Sequence, residues 1–448
     1  MAGIDREKAT ASAIATEAEE APDLTAAAVD VIPPEIVAQS LGQYLRAWWA
    51  RVKAGDAGLL PVVVALIAVT VVFTVVSPNN VFFSAKNLVN LFDQSAVFIV
   101  LAMGEGFVLL LGEIDLSIGY VAAIGGIVTA QLVQPDINWP WWAAIAAGIL
   151  ACAAIGFIQG TIITRLGIPA FIVTLAGYLF WFGVMIIILG PAGQVGITST
   201  IVAGQQALYG IVYAYIDPLL AWVGLLVIVL LLGAFLWRRD AGRRRSGLVA
   251  PPVGLTLAKI GLVAAAGIAV VFICNLDRGN FLPIVGVPWV VPFVLVVLSI
   301  WSVLLERTPF GRHMYAVGGN PEAARRAGIN VPRVRTLGFV LCSATAGIAG
   351  IIYCSQLGGM TTNIAGGQLV LYAVAAAVIG GTSLFGGRGR VIHGLLGGLV
   401  IGAIYNGLYL LGLPIQIQLI VTGLVLLAAV SIDSLSRKST AGGSMART

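Results

Sequence analysis

Few residues in this chain of 448 could do covalent chemistry. It holds two histidines, His313 and His393, and neither has a triad or metal partner at useful spacing. The four cysteines, Cys152, Cys274, Cys342 and Cys354, fall in or at the ends of apolar runs. They lack the spacing of a metal site or a disulfide framework and read as small core residues. No G-x-x-x-x-G-K-[S/T] phosphate loop occurs: the turn Gly386-Gly387-Arg388-Gly389 lacks the lysine and the strand-to-helix context. The expectation is a chain that is not an enzyme, holds no metal or cofactor, and does not hydrolyse ATP by itself.

Charge is concentrated instead in residues 306–335, ERTPFGRHMYAVGGNPEAARRAGINVPRVR, with six arginines, one histidine and two acids, Glu306 and Glu322. A short helix is punctuated within it. Asn320 suits the N-cap and Pro321 the first helical position. Glu322 faces the positive end of the helix dipole, and Arg325 and Arg326 the negative end. Glu322 and Arg326 are four apart and can pair. Gly328 is a natural stop. So short a helix is not stable alone in water, so it reads as a piece that docks into something.

Acids within apolar surroundings need a reason, since a charge at a helix centre costs about 2.5–3.5 kcal/mol on insertion scales. Asp115, followed by Leu116, Ser117 and Ile118, fits an N-cap, and Glu113 a structural role at the same turn. Glu105, mid-span between Gly104 and Gly106, is a candidate for a polar translocation path, with Gln159 and Asn406. Asp93 and Gln94 read as facing the outer interface. The other reading of span-interior amides is helix–helix glue.

These residues sit on a membrane scaffold. The chain is 59% hydrophobic and only 10% charged, with net charge +5, which excludes a water-soluble domain. About twelve candidate spans emerge, near residues 57–77, 91–111, 115–134, 141–164, 168–190, 217–237, 257–275, 286–305, 336–356, 369–385, 391–411 and 414–432. Residues 190–215 read as a half-buried or re-entrant hairpin, so the expected fold is all-α with about 10–12 transmembrane helices. With the N-terminus inside, Lys86 and Arg278 are the only members of the 25 Lys+Arg left outside, a strong positive-inside pattern that favours N-in and C-in.

Residues 1–45 are Ala-rich, acidic and Pro-punctuated, with no signal-peptide pattern, and read as a disordered cytoplasmic tail. Residues 46–56 form a basic, aromatic interfacial lead-in with Trp48 and Trp49. Residues 57–438 are the membrane domain, and 439–448 a short cytoplasmic tail. Two glycine-framed turns, from Gly112 to Gly119 and from Gly380 through Gly381 to Gly387, both read G-x-x-[D/S]-L-x-x-G. They are either the trace of a duplication or a chance likeness of Gly-rich turns.

The segment GGNPEAARRAGI (318–329) resembles the coupling loop of ATP-binding-cassette importer permeases, with its EAA…G hallmark: Glu322, Ala323, Ala324 and then Gly328. LGEIDLSIG (111–119), FIVTLAG (171–177), TPFGRHMYAVGGNPEAARRAGIN (308–330) and AVIGGTSLFGG (377–387) together resemble the ribose/xylose branch of monosaccharide permeases. The glutamate in LGEIDLS and the extra hydrophobic hairpin around 200–280 lean towards the xylose type.

The resemblance implies an ABC importer permease fold in the bacterial cytoplasmic (inner) membrane. It implies a second permease copy forming a homodimer, a partner ATP-binding subunit holding ATP and Mg, and an extracytoplasmic sugar-binding protein. Membrane lipid is the other partner; nucleic acid is not expected. Glu322, Ala323, Ala324 and Gly328 would make the coupling contact, supported by Arg325, Arg326 and Arg312. The alternatives are an ion-coupled secondary transporter, a branched-chain amino-acid ABC permease, and a membrane scaffold whose basic loop binds a partner or lipid.

Overall fold

The computed structural model describes residues 41–53, 58–199, 202–247, 250–279, 282–364, 366–424 and 427. Of the tail expected at 1–45, residues 1–40 lie outside the described residues, as does the tail at 439–448, while 41–45 are helical. In order, the elements are α1 (Leu41–Lys53), α2 (Leu60–Val76), α3 (Ala85–Leu110), α4 (Ile118–Leu132), α5 (Trp141–Leu166), α6 (Ala170–Leu189), β1 (Gln194–Gly196), α7 (Ala203–Tyr213) and β2 (Tyr215–Ile216). There follow α8 (Pro218–Arg245), α9 (Val253–Asn275), β3 (Val287–Pro288), α10 (Val290–Arg307), α11 (Pro309–Gly319), α12 (Pro321–Arg326), α13 (Val331–Leu357), β4 (Gly359–Thr361), α14 (Gly366–Gly380), α15 (Val391–Leu410) and α16 (Ile415–Leu424).

The fold is all-α as expected. Among the described residues, eight helices are long and apolar enough to cross a membrane, and α2, α4, α14 and α16 are shorter apolar helices. Each of these coincides with one span read from the sequence. Residues 190–215 are half-buried, as read from the sequence, but they form β1 and α7 rather than a hairpin. β1 pairs antiparallel with β4, Val195 opposite Met360, and α7 lies on α13, where Ser355 Oγ accepts from Val212 N at 3.2 Å. The sequence read this stretch as a hairpin because its apolar residues are continuous; they are buried against protein on one side only.

The chain divides into two compact units, Met1–Asp56 with Leu225–Gly267, and Ala57–Gly224 with Ile268–Thr448. In the first, α1 starts at Leu41, one turn earlier than the lead-in read from the sequence, with the Trp48 and Trp49 rings 6.0 Å apart. The α8 and α9 portions are joined polar-to-polar: Asp240 accepts from Arg239 Nε at 2.9 Å and from Thr256 Oγ1 at 2.8 Å.

The second unit is built around α3, which is buried along almost its whole length. Helices α13, α14 and α15 pack directly on it. Small residues permit this approach. A Cβ at Gly350 of α13 would fall on the Ala122 carbonyl of α4, and one at Gly398 of α15 would lie 2.5 Å from Ile99 Cα of α3. In lipid such close packing replaces the hydrophobic drive between helices. The core is correspondingly apolar, with Ile99, Leu101, Phe107, Leu109 and Phe339 fully buried.

Candidate coupling segment and buried polar turn

The charged stretch 306–335 is a sequence of short helices with defined ends. Thr308 caps α11, its Oγ1 accepting from Gly311 N at 3.3 Å. Asn320 caps α12, its Oδ1 accepting from Ala323 N at 2.9 Å, with Pro321 at the first helical position. The end of α12 is closed by two bonds, Gly328 N to Arg325 O and Ile329 N to Ala324 O, both 3.0 Å. With Gly328 at φ +84° this is a Schellman motif, a conformation an L side chain resists. Asn330 then caps α13. Six helical residues thus stand as a rigid piece because both ends satisfy their own backbone groups.

The side chains of α12 divide cleanly. Ala324 is buried, whereas Glu322, Ala323, Arg325, Arg326 and Gly328 are exposed, as is Arg312 on α11. Glu322 takes the expected partner, Arg326, at 3.1 Å and also Arg325 at 2.5 Å. The bonds from these two guanidinium groups hold its carboxyl below the usual glutamate range.

This segment is wedged against both glycine-framed turns. Gly387 N donates to Leu110 O at 2.9 Å, and a Cβ at Gly318 would fall on that same carbonyl. A Cβ at Gly386 would lie 2.6 Å from Gly318 O and 2.9 Å from Gly112 N. Three backbones therefore meet where only glycine fits. Side chains brace the junction: Arg335 of α13 binds Glu113, Arg390 binds Glu306 at 2.8 Å, and Tyr315 donates to Gly389 O at 2.7 Å. Burial lifts the Glu113 carboxyl above its ordinary range, partly offset by Arg335.

The two turns share one termination. Gly112 N bonds Leu109 O and Glu113 N bonds Val108 O; Gly381 N bonds Val378 O and Thr382 N bonds Ala377 O. Gly112 and Gly381 both have positive φ. The equivalence is Gly112 with Gly381, one residue off the register read from the motif. Gly380 instead ends α14, where a Cβ would strike the His393 backbone.

A buried polar network lies behind the first turn. Glu105 Oε1 accepts from Asp115 N at 3.1 Å. Asp115 Oδ1 accepts from Ser117 N at 2.9 Å and Ser117 Oγ at 2.6 Å. Gln159 Nε2 donates to Ser117 Oγ at 2.9 Å. Asp115 is thus not the N-cap: α4 begins at Ile118 with Ser117 in that position, and Asp115, two residues earlier, closes an Asx-type turn. Of the three polar positions proposed for a path, Glu105 and Gln159 converge here. Asn406 lies elsewhere, accepting from Asn87 Nδ2 at 2.9 Å and donating to Gln94 Oε1 at 3.1 Å. That ladder ties α15 to α3 through Asn87 and the half-buried Gln94. The Glu113–Arg335 and Glu306–Arg390 pairs were not foreseen. The only sequence signal was a charge on each side of each turn.

A bundle of apolar helices with a capped, exposed, basic helix braced on its turns is the architecture of a multi-pass membrane protein. The family model for the branched-chain amino acid transport system / permease component matches residues 87–430, and the chain belongs to that family. It is 34% identical over 391 residues to the xylose transport system permease protein XylH of Escherichia coli (strain K12), covering 87% of this chain and 95% of that protein. It is 31% identical over 392 residues to the ribose import permease protein RbsC of the same strain, covering 87% and 96%. The D-allose transport system permease protein AlsC, also of that strain, is 29% identical over 386 residues, covering 86% and 93%. These relatives bear out the resemblance to ribose/xylose-type permeases and a place in the bacterial inner membrane. No solved structure matches.

Proposed function

We propose that this chain is the membrane-spanning permease subunit of an ATP-driven (ABC) importer for a monosaccharide, with xylose the first candidate. The observation that carries the coupling half of the proposal is α12. It is rigid in itself, exposed on the face bearing Glu322, Ala323, Arg325 and Arg326, and joined through Gly318 to both glycine turns. Such a piece can take up a push from a partner and pass it to α3, α4, α14 and α15. The names of the relatives, for xylose, ribose and allose, support a sugar as cargo.

In this reading ATP and Mg are held by a partner subunit that grips α12 in the cytoplasm, with both termini on the same side. Two copies of the chain enclose the pathway, and an extracytoplasmic binding protein delivers the sugar. Glu105 and Gln159 stiffen the turn that receives the push, and Asn406 secures α15 as it moves.

The test is sugar-stimulated ATP hydrolysis in lipid nanodiscs containing the permease, its ATP-binding subunit and its binding protein. Xylose, ribose, allose, galactose and arabinose are screened. Stimulation by one sugar that is lost in Glu322→Ala is the expected result. Failure of any ATP-binding subunit to associate would end the coupling reading. The family description favours one second reading, an amino-acid cargo. Stimulation by leucine, isoleucine or valine and by no sugar would replace the first with it.

A further inference from the structure

About 25 Å along α3 from Leu110, by helical rise, Asp93 sits among polar groups that the coupling scheme does not use. Its Oδ1 is buried with no hydrogen-bond partner among the described residues. Arg278, itself 6% exposed, lies within electrostatic reach. The guanidinium is fixed from behind: it donates to Cys274 O and, at 3.0 Å, to Gly286 O. Its carbon lies 5.2 Å from the centre of the Tyr215 ring. Tyr213 and Tyr215 also feel the Asp93 charge. Tyr209 stacks on Tyr213 with centroids 4.6 Å apart, and Tyr213 donates its hydroxyl hydrogen to Gln356 O at 2.7 Å. Beside Cys274, Asn275 has both its amide oxygen and its amide nitrogen buried and unpartnered.

A purely structural cluster would not be built this way. Leaving a carboxylate oxygen and a whole amide group buried without partners costs the full desolvation of each. The unmet capacity is mixed, acceptors on Asp93 and Asn275 and a donor on Asn275. The ionisable groups are one acid and one guanidinium, with no excess of either kind. Three aromatic rings stand alongside. Mixed donors and acceptors and aromatic faces together suit a neutral molecule with hydroxyls on one face and C–H bonds on the other.

We propose that Asp93, Asn275, Tyr213, Tyr215 and Arg278 form a subsite that binds a sugar by its hydroxyls. The proposal rests on the sugar-permease reading above. It places recognition at the end of α3 remote from α12, the end where Asn406, one of the three positions singled out for a path in the sequence, bonds Gln94 beside Asp93.

The test uses the permease with its ATP-binding subunit and without the binding protein, whose own affinity would mask the site. Binding of radiolabelled D-xylose, D-ribose and D-allose to the purified complex is measured at equilibrium, beside uptake by the complete system. For the sugar that is imported, Asp93→Asn and Asn275→Ala each raise the half-saturating concentration about tenfold or more, the loss of one or two hydrogen bonds. Tyr213→Phe, which keeps the ring, covers the case in which either variant fails to assemble and raises it less. Glu322→Ala abolishes uptake and leaves this binding unchanged. If a sugar is imported but the Asp93 and Asn275 variants bind it as the parent does, or the parent complex does not bind it at all, the subsite is overturned alone. If no sugar is imported or bound, the sugar reading falls and the subsite with it.

Discussion

Arg335 binds the carboxylate of Glu113 across 222 residues of sequence, joining the first turn of α13 to the turn between α3 and α4. The donor side chain stands on the helix that follows α12, and the acceptor lies two positions before Asp115, which belongs to the buried network with Glu105, Ser117 and Gln159. The pair therefore connects the exposed coupling segment to the interior of the second unit. Arg335→Gln should cut uptake about tenfold while the complex still assembles, since removing one partner strands a largely buried carboxylate. Glu113→Gln with Arg335→Gln should recover part of the loss. Transport rates in the single and double variants, taken as a cycle, measure the coupling.

The same carboxyl gives a signed pH dependence. Burial holds Glu113 above its ordinary range in the folded chain. Between the unfolded and folded values the folded state binds more protons, so this group's contribution to stability falls as pH rises through that window. Thermal midpoints of the purified complex should show a decline with rising pH there that Glu113→Gln removes. An identical decline in the variant would assign it to another group.

Gly328→Pro should abolish uptake at normal abundance in the membrane. Proline requires φ near −65°, whereas Gly328 stands at +84° and donates to Arg325 O. Gly328→Ala strains the same turn without removing the donor and should cost about 1 kcal/mol locally, read as a partial loss of stimulated ATP hydrolysis.

Gly318→Ala puts a methyl group on the Leu110 carbonyl, where nothing flexible can give way. The prediction is a transporter that binds its ATP-binding subunit but shows at least a tenfold loss of uptake. Gly319→Ala, next in the chain, meets open space and serves as the control. Equal loss in both would show that the junction is not the sensitive point.

Asn406→Leu would leave Asn87 Nδ2 with one partner fewer and Gln94 Oε1 without the bond it accepts from Asn406. The expected cost is about 1–3 kcal/mol, visible as a lowered thermal midpoint in detergent. A variant that keeps the parent's midpoint but loses transport would instead make Asn406 a path residue.

What could be read from the sequence was local or repetitive. The spans follow from runs of apolar residues, and α12 follows from Asn320, Pro321, Glu322 and Gly328 within nine positions. What could not be read depends on distant contacts. Asn87 and Asn406 are 319 residues apart, and nothing near either names the other. Asp115 was misplaced by two residues because an acid before Leu-Ser-Ile suits either an N-cap or an Asx turn. The burial of Ser117 and its bond to Gln159, far along the chain, decide between them. Residues 190–215 are half-buried as the sequence implies, but they are not a hairpin, because the strand that β1 pairs with is β4, far along the chain, and nothing local names it.

The single buried methyl of Ala324 has a mechanical consequence. With its ends closed by their own caps and almost none of its surface sunk in the bundle, α12 has a stiff body and a shallow seat. Load applied to its exposed face therefore leaves through the two chain ends, Gly318–Gly319 on one side and Ile329–Asn330 on the other, like torque through a crank with two pins. The stroke of such a crank is limited by the pins. A shift of α12 that outran the clearance of the Gly318–Leu110 contact would have to carry α3 with it.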